Sequence, residues 1–322
     1  MKDNGFLKLL KQLVAIRELF MIILIIVTGI VLTNMSPHFF THGNIQSVLI
    51  ALVPNAIIAI GMTILLASGT FDLSVGGIMA FSGTLVGILL LSDVSIFLSV
   101  IITLAVGITF GIINGFFVAK IGVNPLITTF GMQSITRSLA LIFTEGRSVS
   151  GLPTAFGAMG TVRFMNLPLM VWTMFILVVT SDVLLRKMRY FRQLFYIGGN
   201  ANASLLSGIK VNRTKMVAFA ISAGCATTAG IILASRIMAG TPTAGTGMEL
   251  SVIAACVIGG ASLNGGEGTV IGSVFGALFL ALISNALIMM SVSMFWHGVV
   301  NGVILIAAVS IDMILKKRRK IA

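Results

Sequence analysis

Apolar positions in this chain come in long unbroken blocks, separated by short stretches that hold nearly all of the charge, proline and polar residues. Crossing a bilayer takes roughly 20 consecutive apolar residues in an α-helix. Blocks of that kind fall at 19–34, 45–67, 74–91, 94–118, 126–143, 167–185, 214–235, 250–262, 268–290 and 295–314. A membrane β-barrel would instead alternate apolar and polar residues along each strand. Backbone groups in lipid must be satisfied within the segment, which leaves helices. The pattern predicts an all-α membrane protein of about ten transmembrane helices, spanning 1–322 as one transmembrane domain. The eighth block is short, and its Gly259-Gly260 ending predicts a broken or partly inserted helix.

Composition agrees with lipid as the solvent. Of 322 residues, 57% are hydrophobic and 9% charged, against about 25% charged in average soluble domains. The basic residues then choose an orientation. With both termini in the cytoplasm, 17 of the 21 Lys and Arg fall inside: the N-terminal group Lys2, Lys8, Lys11 and Arg17, then Lys120, the seven from Arg186 to Lys215, and Lys316 to Lys320. Basic residues in short loops favour the cytoplasmic side, so this arrangement is self-consistent. It also accounts for the net charge of +12 without nucleic acid as a partner.

The basic stretch before Leu19 imitates a secretory signal, but the following Thr33-Asn34-Met35-Ser36-Pro37 offers no small-residue cleavage site, so a retained first helix is expected. Cys225 and Cys256 stand alone in apolar segments, without the spacing of a disulfide framework or a metal site. No cofactor is called for.

The acidic residues bear on energy coupling. Asp3, Glu18, Asp72, Asp93, Glu145, Asp182, Glu249, Glu267 and Asp312 all fall in predicted loops or near predicted helix ends. A carrier driven by protons or sodium usually holds an ionisable group near mid-membrane. With no phosphate-binding G-x-x-x-x-G-K-[ST] loop in the chain, ATP would have to act through a partner. The cytoplasmic connection 186–213 is the candidate docking surface. Asn200 or Asn202 is placed to cap a short helix over Ala203–Ser207, and Gly208 to end it in the left-handed conformation. Leu205, Leu206 and Ile209 would then need a cover: a partner, the bundle itself, or the lipid interface.

The run Gly199-Asn200-Ala201-Asn202-Ala203-Ser204-Leu205-Leu206-Ser207-Gly208-Ile209 resembles the coupling-helix signature of ribose-type ABC sugar permeases, within the class that includes branched-chain amino-acid permeases. Three further blocks are similar to that family's motifs: Phe71-Asp72-Leu73-Ser74-Val75-Gly76-Gly77, Pro242 through Glu249-Leu250, and Ile253 through Gly268. Phe71 and Glu267 depart from the usual Gly and Arg or Lys. The resemblance implies an ABC-importer permease with separate ATP-binding cassette ATPase subunits, an extracytoplasmic solute-binding protein and a second permease copy or paralogue. It implies ATPase coupling through Gly199, Asn200, Ala203, Leu205, Leu206, Gly208 and Ile209, and a monosaccharide or similar small polyol as solute. A furanosyl signalling molecule or an amino acid is the alternative.

For the pathway, uncharged hydrogen-bonding groups inside the spans are candidates: Asn55, Thr63, Asn114, Gln133, Asn285 and Asn301, with Phe81 and Trp296 as stacking faces. The same amides and hydroxyls also join helices to one another. Arg137 is either part of the route or its outer gate, or an ion-pair partner for Glu145. Glu249 and Thr246, on a loop expected to face outward, are expected at an outer gate or a binding-protein contact. Gly76-Gly77 and Gly265-Gly266 each precede an outward-running block, which suggests two similarly oriented half-bundles. A passive channel is the reading from another class, and it leaves the coupling-like loop unexplained.

Overall fold

The computed structural model describes residues 17–293 and 295–321. Thirteen helices follow in chain order: α1 (Arg17–Met35), α2 (His42–Ala67), α3 (Val75–Leu91), α4 (Ile96–Gly115), α5 (Pro125–Thr144), α6 (Ala158–Thr161), α7 (Leu169–Lys187), α8 (Arg189–Gly199), α9 (Ala201–Leu206), α10 (Val211–Ile237), α11 (Met248–Ile258), α12 (Val270–Met289) and α13 (Phe295–Ile321). A π-helical turn, Phe116–Ile121, extends α4. Among the described residues strands are confined to two-residue pairs: β1 (Val149–Ser150) with β4 (Ala239–Gly240), and β2 (Arg163–Phe164) with β3 (Leu167–Pro168), both antiparallel.

Seven of these helices are long and apolar enough to cross a membrane: α1, α2, α4 with its π turn, α5, α7, α10 and α12. The chain is therefore a multi-pass helical membrane protein. The expected spans at 74–91, 250–262 and 295–314 correspond to shorter apolar helices, Val75–Leu91, Met248–Ile258 and Gly298–Ser310 within α13. The last helix runs on to Ile321, so the basic segment beyond 314 continues α13. The N-terminal residues Lys2, Lys8 and Lys11 lie outside the described residues.

Local sequence explains the helix starts. Thr41, Ser95, Asn124 and Thr269 accept backbone N–H groups with their side chains at the beginnings of α2, α4, α5 and α12, and Pro125 sits where α5 needs no donor. α2 is apolar all round from Leu52 to Ala67 and is buried there apart from Asn55, as expected for the centre of a bundle. α10 packs against α2, α3 and α4. Its seam with α4 is built on Gly107, Gly111 and Gly115, where an added Cβ would meet Thr227, Phe219 with Ala223, and Met216. Between membrane helices that closeness supplies the packing energy.

The connection 145–168 is folded onto the bundle. Leu152 and Phe156 pack in a small core with Val86, Leu90 and Ile231, and Ser235 donates to the Phe156 carbonyl at 2.5 Å. At the other end, Arg186 bridges Glu18 of α1 (2.6 Å) and Asp182 one turn earlier (2.7 Å), and the Ile271 amide donates to Asp182 at 3.3 Å. Asp182 is only 6% exposed at its side chain, whereas Glu18 is 32% exposed. Losing an exposed pair costs about 0–1 kcal/mol, whereas losing Arg186 also leaves the nearly buried Asp182 carboxylate without its guanidinium. Arg186→Ala is thus expected to lower the thermal midpoint in detergent clearly more than Glu18→Ala does. Equal shifts would show that Asp182 does not need the guanidinium.

Candidate functional site

The expected coupling element is a helix. Asn200 caps α9 by accepting the Ala203 amide at 3.0 Å, and the chain leaves it at Gly208 with φ +82. Helix α9 covers Ala201–Leu206, slightly earlier than the expected Ala203–Ser207. Only Ser204 of the six residues is buried. Leu205 is 62% exposed and Leu206 90%. A groove of about 470 Å³ runs beside it, lined by Ala201, Asn202, Leu205, Lys210, Val211 and Arg213 among others. Helix α8 seats Leu194 and Ile197 in the bundle and leaves Arg189 and Arg192 exposed. Leu205 and Leu206 are not covered by the bundle, which removes one of the three covers weighed above.

This end of the fold is tied to the bundle by a contact that the glycine spacing did not reveal. Gly265 and Gly266 do not open a helix: they form a turn with φ +89 and +78, and the Gly266 amide donates to the Ala67 carbonyl at the end of α2 at 3.0 Å. Gly198 packs against the same turn. Gly76-Gly77, by contrast, lie in the first turn of α3. The two glycine pairs have different jobs.

After Ala67 the chain folds back, so that Asp72 is fully buried. Its Oδ1 accepts the Ser74 amide (2.8 Å) and hydroxyl (2.5 Å), Asn114 Nδ2 donates to Ser74 Oγ at 2.9 Å, and Ser222 of α10 faces the same carboxylate. A carboxylate at the start of α3 complements the partial positive charge of the helix N-terminus. Asp72 and Asn114 thus fix where α3 begins, inside the bundle.

A second descent meets it there. From Met238 at the C-terminal end of α10 the chain passes Gly83 and Thr84 of α3 at Gly240, reaches Met79 and Gly76 at Gly245, and starts α11 at Met248. Arg137 of α5 donates from Nη1 to the carbonyls of Pro242 and Ala244, both at 3.2 Å. Gln133, one turn earlier, donates from Nε2 to Glu249 Oε1 at 3.0 Å. Arg137 faces Glu249 across the start of α3, and not Glu145. Glu249 is 9% exposed: its carboxylate is enclosed where α3, α5 and α11 converge. Thr246, three residues earlier, is exposed. Asp72 in the loop before α3, Asp182 near the end of α7 and Glu249 in the first turn of α11 sit at helix edges as the sequence predicts, yet they are not at the surface. Asp72, Asp182 and Glu249 are all buried.

The remaining pathway candidates divide. Thr63 is fully buried, donates to Ser273 Oγ (2.7 Å) and lies 3.7 Å from Cys256 Sγ, so it joins α2 to α11 and α12. Asn285 exchanges hydrogen bonds with Asn44 at 2.8 and 3.1 Å, joining α12 to α2. Asn55 donates to Ala51 of its own helix at 3.4 Å. Asn301 donates to Ser251 Oγ at 3.3 Å and joins α13 to α11. Phe81 is buried, edge-on to Phe110, and Trp296 is 55% exposed. Gln133 and Arg137 come together with Glu249, and both are part-exposed on α5.

Comparison with known proteins places this arrangement in context. The family described as "Branched-chain amino acid transport system / permease component" matches residues 44–309. The chain is 36% identical over 295 residues to the ribose import permease protein RbsC of Escherichia coli (strain K12), covering 90% of this chain and 92% of that one. It is 37% identical over 285 residues to RbsC of Bacillus subtilis (strain 168), with 88% of each chain covered. It is 37% identical over 284 residues to the L-arabinose transport system permease protein AraH of Escherichia coli (strain K12), covering 88% of this chain and 87% of that one. No solved structure matches.

Proposed function

Because the chain belongs to the branched-chain amino acid transport system permease family, we propose that it is the transmembrane subunit of an ATP-driven ABC importer for a monosaccharide or similar small polyol. The relatives named for ribose and L-arabinose support the solute class. An extracytoplasmic binding protein delivers the solute, a separate ATP-binding cassette ATPase hydrolyses ATP, and a second copy or paralogue completes the pathway. The chain itself is a transport subunit and not an enzyme.

One observation carries the coupling part of this reading: a capped helix that holds Leu206 almost wholly in water. An exposed apolar patch of this kind marks an interaction site. The ATPase covers it, with the ~470 Å³ groove beside α9 as the rest of the footprint. The basic residues around α8 and α9 support a cytoplasmic position for this face, and the proposal has ten crossings of a bacterial inner membrane with both termini inside.

The outward side would receive the binding protein around exposed Thr246, while Gln133 and Arg137 line the route. Thr63 and Asn285 fit helix joining better than lining, since their polar atoms are already bonded across helices.

The test is uptake of labelled ribose and arabinose in cells lacking their own sugar importers, supplied with this permease, its neighbouring ATPase and its binding protein. Accumulation is expected only when all three are present. Accumulation of a labelled amino acid instead would redirect the solute assignment, and equal uptake without the ATPase would favour a passive channel.

A further inference from the structure

Three polar atoms at the meeting of α3, α5 and α11 are buried without a hydrogen-bond partner: Gln133 Oε1, Arg137 Nη2 and Glu249 Oε2. Two of them lie beside Gly76 at the start of α3. A side chain added at Gly76 would begin 2.6 Å from Glu249 Oε2 and 3.6 Å from Arg137 Nη2, and Gln133 is bonded to that same carboxylate. A buried polar atom left unbonded costs about 1–3 kcal/mol, so three together mark a place built for something other than stability.

We infer that Gln133, Arg137 and Glu249 form a solute-contacting constriction for a neutral polyhydroxylated molecule, shut in this structure by Arg137's hold on the Pro242–Ala244 segment. The inference rests on the importer reading and adds the site within it. The free valences are one donor and two acceptors, and each hydroxyl of a vicinal diol both donates and accepts. One guanidinium against one carboxylate leaves the site without net charge. A sugar carboxylate would face Glu249, whereas a neutral polyol meets no repulsion.

Opening has a visible route. The segment that closes the site carries Gly245 and Gly247 at φ +66 and +76, just ahead of the start of α11. Arg137 ties it by two 3.2 Å bonds to carbonyls. Thr246 and Leu250 beside it are exposed, and Gln133 and Arg137 are half-exposed on α5. A face with an Arg and a Gln inside a membrane protein does not rest against lipid. It fits a water-filled route between two copies.

The test compares wild type, Glu249→Gln, Arg137→Gln and the double variant in proteoliposomes with ATPase and binding protein. Uptake, ATP hydrolysis and thermal midpoint are measured on each. Each single variant is expected to lose uptake at least tenfold while ATP hydrolysis stimulated by the binding protein persists. The double variant is expected to recover part of the loss, since it leaves no unpaired charge. A sugar carboxylate added as competitor should inhibit Glu249→Gln more strongly than wild type. Unchanged uptake in both single variants would overturn the inference. So would equal inhibition by the carboxylate, or uptake and ATP hydrolysis falling together with thermal midpoint. If wild type itself takes up no sugar, the importer reading falls first, and that outcome is separable from all the others.

Discussion

Leu206→Asp is expected to insert and fold as wild type does, yet to lose ATP-driven uptake almost completely. Leu206 is 90% exposed in the single chain, so its replacement disturbs no packing there. If the ATPase covers α9, the change forfeits about 1.5–3 kcal/mol of apolar burial and forces a carboxylate into the interface. At 1.4 kcal/mol per tenfold, association weakens on the order of a hundredfold or more. Co-purification of the ATPase with tagged permease reads this directly, with the thermal midpoint as the folding control. Full co-purification would move the docking surface away from α9. Gly208→Ala is a milder companion, since it strains the φ +82 turn that ends the helix without adding charge.

Gly76→Val is the second large effect. At this position the Cβ alone would begin 2.6 Å from both Glu249 Oε2 and the Gly245 carbonyl. Something must shift, and the nearest parts are the start of α11 and the segment leading into it. Overpacking of this kind costs about 1–3 kcal/mol, and here the strain falls on the closing segment. Uptake is expected to fall roughly tenfold or more, with ATPase co-purification retained because α9 packs mainly against α8 and α10. Uptake near the wild-type rate would mean that the closure of α3 on α11 plays no part in transport.

The apolar blocks made most of the helices legible in the sequence, since lipid leaves few other solutions for a run such as Ile96 to Gly115. The cap of α9 was legible too, because an Asn before a short apolar run and a Gly after it act locally. What the sequence hid was depth. Asp72 and Glu249 each sit beside a break between apolar blocks, which in a linear reading puts them at a membrane edge. In the fold the chain doubles back at both breaks, and the starts of α3 and α11 meet inside the bundle. A signal was present: α3 and α11 are short, with 17 and 11 residues, and Glu249 falls in the first turn of α11, where a carboxylate favours a helix start. The partner of Arg137 was hidden for the same reason. Glu145 is eight residues away in sequence, whereas Glu249 reaches it only through long-range packing of α5, α3 and α11.

The most direct test of the central claim is solute accumulation in proteoliposomes holding the permease, its ATPase and its binding protein, with ATP supplied on the ATPase side. The account predicts that labelled monosaccharide rises above its external concentration with ATP and does not with a non-hydrolysable analogue. Equilibration to the external level, at the same rate with and without ATP, would contradict it and make the protein a channel.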